Sequence, residues 1–168
     1  MSTPKIFLAF ENKECHIKVK GRANFECSPP LRAVSANLDN NRISGLYVDL
    51  SECSGMDSTF MGILAMIALK VKQLGITADI INAGENNIRL LTGLGLQKLF
   101  NFSEAVPGKN FNWDEKKSEN SRIETAHTVL DAHQTLIDVD KENEKRFKNV
   151  VDFVKKDIEK EEKKDGEK

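Results

Sequence analysis

An α/β fold, a small mixed β-sheet flanked by helices and followed by a long C-terminal helix, is predicted by three observations along the 168 residues. From Gly45 onward short apolar runs alternate with helical stretches, the pattern of parallel strands joined by right-handed crossovers. The first twenty residues instead read as two strands of alternating polarity across a polar turn. After Trp113 proline is absent and glycine does not recur until Gly166. Roughly half of those residues are charged, as in helices with a narrow apolar stripe. A chain of this length builds one ordinary core and barely two, so one domain plus an appendage is expected. The division falls between residues 1–112 and 113–168.

In order, residues 5–10 and 15–20 (CHIKVK) make the hairpin, with the turn at residues 11–14. Residues 21–30 connect to a first helix, LRAVSANL, for which Ser28 is the N-cap and the two following prolines occupy the first turn. Strands follow at residues 45–50 (GLYVDL) and 76–81 (ITADII), helices at 58–74 and 85–92, and an edge strand at 96–102. In the extension, Ser121-x-x-Glu124 is a capping box. Beyond it Ile123, Ala126, Leu130, His133 and Ile137, then Phe147, Val151, Val154 and Ile158, recur at steps of three and four as a heptad seam. Asp140 and Glu144 interrupt that seam, so the helix faces solvent or bends around residues 138–143. With neither glycine nor proline at the possible bend, a continuous helix pairing with a second chain in a coiled-coil homodimer is favoured over a hairpin folded back on itself. The last ten residues, EKEEKKDGEK, are expected to be frayed and disordered.

Composition narrows the function. A formal net charge of -1 gives no basic field for nucleic acid or an anionic membrane. Cys15, Cys27 and Cys53 are odd in number and lack ligand spacing, which points to a reducing compartment and to no metal site. The N-terminal apolar run is too short for a signal peptide or a membrane span. A cytoplasmic protein without membrane insertion is expected.

The informative stretch is VDLSECSGMDSTFMGILAMIALK, residues 48–70. A strand ending at Leu50 and a helix beginning at Ser58 leave residues 51–57 as a loop at the carboxyl end of a parallel strand, the edge that ligands and partners favour. Asp57 stands at the N-cap, and an oxygen on Ser58 lies in the positive half of the helix dipole, where a phosphate would be stabilised. Two readings stay open on these grounds: Asp57, Ser58 and Thr59 cap the helix and nothing more, or the join is a switch.

The segment DLSECSGMDSTFMGIL resembles the signature of the STAS family, the domain of bacterial anti-sigma factor antagonists. The family's pattern of strand, loop and helix start is filled by Asp49, Leu50, Met56, Asp57, Ser58, Thr59 and Gly62. The likeness covers about residues 5–102, and LLTGLGLQKLFNF is similar to the family's closing helix and strand. The resemblance implies an anti-sigma factor antagonist that works by partner switching in transcription regulation. It implies phosphorylation of the serine after the aspartate, Ser58, with Thr59 as second choice. It further implies an anti-sigma factor that is itself the serine kinase, and an opposing phosphatase. Met56, Asp57, Ser58, Thr59, Phe60 and Met61 would form the partner-binding face, with Met56 and Phe60 exposed. The family also allows an unphosphorylated accessory subunit of a transport or signalling complex. Phe60 departs from the family's usual glycine, and the family does not account for the extension.

Catalysis finds weak material in the sequence. Ser58 is not in a GxSxG elbow, and neither His16, His127 nor His133 is placed near it by the sequence. His127 and His133 lie six residues apart on different helix faces and lack zinc spacing. No enzyme activity, cofactor or metal is expected.

Overall fold

The computed structural model describes residues 3–39, 41–104, 110–119 and 121–166. Strands β1 (Lys5–Glu11) and β2 (Glu14–Ala23) form the antiparallel hairpin, and Asn12 and Lys13 adopt positive φ in its two-residue turn. A short 3-10 turn, Phe25–Cys27, leads into α1 (Pro29–Asn37), followed by β3 (Gly45–Met56), α2 (Ser58–Gln73), β4 (Thr77–Ile81), α3 (Glu85–Gly93) and β5 (Asn101–Ser103). The chain ends with β6 (Asp114–Lys116), α4 (Arg122–Val139) and α5 (Asn143–Gly166). The sheet order is β5-β4-β3-β2-β1-β6: parallel from β2 through β5, antiparallel where β1 meets β2 and β6. This is the expected mixed sheet with flanking helices.

Inward-facing Ile6, Leu8, Ile17, Val19, Leu46, Val48, Ala78 and Ile80 alternate with outward positions along the strands, as a one-sided sheet requires. Above them α2 packs on β3 and β4, α1 and α4 pack on α2, and α5 packs on α4. The helical extension therefore forms a further layer over α2.

Several local expectations are corrected. Residues 51–56, expected as a loop, continue β3, because β2 is itself longer than its alternating motif and supplies a ladder partner out to Ala23↔Met56. The pairing shifts register between Lys18 and Lys20 and between Gly21 and Arg22, so the small polar residues sit in an irregular strand rather than a loop. The expected edge strand at 96–102 divides into a 3-10 turn, Leu96–Lys98, and the shorter β5. Ser28 flanks α1, but its side chain makes no cap bond. Pro29 and Pro30 have no N–H to be capped, and the first donor, Leu31 N, bonds the Ser28 carbonyl at 3.0 Å. β6 was not anticipated: three fully polar residues carry no strand periodicity, and the ladder of β1 imposes the conformation.

The single long helix is also corrected, to two helices that pack on each other. Asp140 turns extended (φ -148, ψ 117) and accepts the Glu142 amide at 3.0 Å. The buried Asn143 amide donates to the Leu136 carbonyl at the end of α4 at 2.7 Å and to the Leu94 carbonyl at 2.9 Å. Short polar side chains that satisfy backbone groups locally break a helix without glycine or proline. The Ser121 capping box is present as expected. On α5 the stripe of Phe147, Val151, Val154 and Ile158 is buried or half-buried, whereas the buried residues of α4 are Thr128, Ala132, His133 and Leu136. The argument for a homodimer, a continuous helix with an unpaired stripe, loses its ground. Residues 159–166, expected to be frayed, are helical; residues 167 and 168 lie outside the described part.

All three cysteines are free and buried. Burial pushes the Cys15 thiol up to about 12 and the Cys27 thiol up to about 11, and it raises Cys53 as well. At pH 8 these groups are thiols in the folded chain, and the thiolate is the reactive form. A disulfide reagent at pH 8 should therefore label the native chain slowly at every position and all three sites rapidly after denaturation. Fast labelling of the native chain contradicts this packing.

Candidate functional site at the start of α2

Asp57 is the N-cap of α2, in extended conformation (φ -88, ψ 172). Its Oδ1 accepts the Phe60 amide at 2.8 Å and its Oδ2 accepts the Phe25 amide at 2.9 Å. One carboxylate thus satisfies a free donor of the helix and ties the helix start to the 3-10 turn after β2. The capping reading accounts fully for Asp57.

It does not account for Ser58, whose hydroxyl bonds a side chain of α4. Ser58 Oγ lies 2.8 Å from His133 Nε2, and His133 Nδ1 lies 2.7 Å from the Val129 carbonyl oxygen. A carbonyl only accepts, so Nδ1 carries the proton in the neutral ring, Nε2 is the acceptor, and Ser58 donates. His133 is 3% exposed and meets Phe147 of α5 edge-on at 4.9 Å. The sequence did not bring His133 to Ser58; the structure does.

Contact between α4 and α2 is close around this pair. A Cβ on Gly62 would stand 2.5 Å from the Ala132 carbonyl oxygen and 2.7 Å from its carbonyl carbon, so only glycine lets the two backbones approach this far. Arg32 of α1 bonds Thr128 Oγ1 at 2.8 Å and pairs with Asp131. At the far end Lys98 reaches Asp140 at 3.3 Å, and Arg146 donates to the Gly93 carbonyl at 2.7 Å.

The expected exposure of the site's apolar residues is overturned. Met56 is 4%, Phe60 0% and Met61 5% exposed; all three belong to the core, and Thr59 is buried too. Only Asp57 and Ser58 of the six are half-buried. Phe60 stands on the face of α2 opposite Ser58 and Gly62, the residues that meet α4, so it turns to the sheet side, while α4 covers the other side of the helix. A signal for this cover existed: STFMGILAMIALKVKQ is apolar all round, which a helix with one solvated face is not.

The other histidines stay apart from the site. His16 stacks between Tyr47 and Phe111, 5.0 and 4.1 Å between ring centres, and bonds Glu14 at 2.9 Å near the beginning of β2, whereas Ser58 adjoins the end of that strand. His127 lies 3.8 Å from Glu162 on α5. Among the described residues no cluster of three or more His, Cys, Asp or Glu side chains could hold a metal ion, and no helix is long and apolar enough to cross a membrane.

Comparison with known proteins places this architecture. The fold matches that of a candidate anti-sigma factor antagonist from Thermotoga maritima (TM-score 0.52, 15% identity, 59% of this chain and 86% of that one). It also matches the anti-sigma factor antagonist SpoIIAA in its unphosphorylated form (TM-score 0.50, 14% identity, 60% and 88%). A third match is the Bacillus cell fate determinant SpoIIAA in its phosphorylated form (TM-score 0.51, 13% identity, 61% and 92%). Comparison with curated protein sequences finds none that matches the chain. The sequence profile of the STAS domain matches residues 13–108, more than half of the chain, and the protein belongs to the STAS domain family.

Proposed function

We propose that the protein is a regulatory binding protein of the anti-sigma factor antagonist kind, switched by phosphorylation of Ser58. The observation that carries the reading is Ser58 itself: the residue after the capping Asp57, at the first turn of α2, with a hydroxyl that caps nothing. Its partners are an anti-sigma factor that is also a serine kinase, and a phosphatase that reverses it. The binding face is the surface around Asp57 and Ser58 on α2; the buried Met56, Phe60 and Met61 shape it from below.

Phosphorylation acts by charge. A phosphoserine carries about -1.5 to -2 charges at neutral pH and would stand beside the Asp57 carboxylate. A surface that must desolvate Ser58 on docking then meets an unpaired anion, whose burial costs several kcal/mol even after relaxation. Binding rather than catalysis fits the pair: the second nitrogen of His133 is held by a backbone carbonyl instead of a carboxylate, and the ring is shut in against Phe147. The fact that Ser58 is already hydrogen-bonded inside the chain favours a second reading, an unphosphorylated STAS subunit of a transport or signalling complex.

Phosphosite mapping of the protein from its own cells separates the two. For the switch, Ser58→Asp should weaken binding to the co-purifying anti-sigma partner on the order of a hundredfold, about 2.8 kcal/mol. Ser58→Ala should bind at least as tightly as the wild type. Equal affinities for all three chains in titration calorimetry would sink the switch, and a complex in which Ser58 is never modified supports the accessory subunit.

A further inference from the structure

Resting on that reading of Ser58, we infer that α4 is a built-in competitor for the partner face: the docked helix and a phosphate on Ser58 exclude each other, so modification locks the helical extension away from α2. The inference concerns residues beyond the family's domain, since α4 begins at Arg122 and the STAS match ends at residue 108.

Three features of the contact carry it. First, α4 reads the state of the hydroxyl directly. In the neutral ring the Ser58 hydroxyl donates to Nε2 of His133 and Nδ1 donates to the Val129 carbonyl, so the ring cannot turn to offer a different face without losing that bond. A phosphoryl group on Oγ removes the donor and brings three bulky anionic oxygens into the space the ring fills. Second, one turn along from Ser58 the two helices cannot move closer to make room. Ala132, next to His133, already lies so close to Gly62 that a single added carbon would overlap its backbone. Third, the attachment is of the kind that can be released. To the buried core α4 contributes Ala132 and Leu136, with Val139 of α4 and Phe147 of α5 half-buried against it. Polar bonds add to it: Arg32 with Thr128 and Asp131, Lys98 with Asp140, and from α5 Arg146 with the Gly93 carbonyl and the buried Asn143 amide with the Leu94 carbonyl. The Lys98–Asp140 pair is exposed, and such a pair holds weakly in water.

A partner that needs a neutral Ser58 therefore competes with α4 for it. In the unmodified chain the extension occupies the face; a kinase or partner captures the chain when α4 lifts. Once Ser58 is phosphorylated neither α4 nor the partner can return, and the α4 face bearing Ala132, His133 and Leu136 is uncovered. The bistable element is the α4–α5 unit as a whole, since α5 packs on α4.

The test installs phosphoserine at position 58 of the full chain during translation, so its outcome does not depend on whether any kinase modifies Ser58 in cells. Amide hydrogen exchange is compared among the unmodified chain, the phosphoserine chain and Ala132→Glu, which lifts α4 by charge and bulk with Ser58 untouched. Exchange across residues 122–139 should rise at least tenfold in both altered chains while β2, β3 and β4 keep their protection. A smaller rise in the phosphoserine chain overturns the inference. Loss of protection throughout the sheet overturns it equally, because the phosphate then unfolds the domain instead of releasing a helix. If Ala132→Glu does not fold, the phosphoserine chain alone decides. Failure of the switch itself would appear elsewhere, as Ser58 unmodified in cells.

Discussion

Phe60→Ala should lower the free energy of unfolding by about 3–5 kcal/mol, the usual cost of deleting a buried aromatic ring. Phe60 is the third residue of α2 and has no exposed surface; its ring is among the largest fully buried side chains of the chain. Its amide bond to Asp57 is made by the backbone and survives the substitution, so the loss reports the ring and not the cap. An exposed Phe60 on a docking surface predicts something different, a change within about 0.5 kcal/mol. Denaturant unfolding of the two chains, with an unchanged slope, distinguishes the cases. A loss under 1 kcal/mol would mean that the ring is not enclosed in solution.

Why the sequence misplaced Phe60 is instructive, because most of the sheet around it was legible. β1, β4, α2 and the capping box were found within a residue or two, and β2 except for its last three residues, since each is written locally: alternation for the strands, Asp57 and Ser121 for the helix starts. What escaped was set by distant partners. The continuation of β3 through Glu52, Cys53 and Gly55 depends on Lys20, Gly21 and Arg22 of β2, and the polar β6 exists only because β1 offers it an edge. A bend at residues 138–143 is read from Asp140 and Glu144, but that the helix breaks there and does not continue rests on side-chain bonds from Asn143 to Leu94 and Leu136, the first 49 residues away. At the site, Asp57 and Ser58 were identified from spacing, but His133 is 75 residues from Ser58 and carries no local mark. The one sequence feature that announced a cover over α2 was its apolar outer face, and only tertiary packing says that α4 provides it.

The sign of a single change tests that packing most directly. Gly62→Ala lies in the interior of α2, where replacing glycine by alanine ordinarily stabilises a helix by about 0.8–1.0 kcal/mol. If α4 did not lie on α2 in solution, the variant would gain that amount. In the structure the new methyl carbon meets the Ala132 carbonyl oxygen at 2.5 Å and two further Ala132 carbons at 2.7 Å, and two of those three atoms are backbone that no rotamer change can move aside. The helix must retreat by roughly an ångström to reach ordinary contact at 3.5 Å. Overpacking of this kind costs about 1–3 kcal/mol, enough to reverse the gain. Retreat also lengthens the Ser58–His133 bond and strips Ala132 and Leu136 of their cover, so the penalty is bounded above by the free energy that docks α4. Gly62→Ala is therefore expected to be net destabilising, with the loss of amide protection concentrated in residues 122–139. A variant more stable than the wild type, with α4 still protected, would show that the two helices do not approach as closely as Gly62 and Ala132 imply.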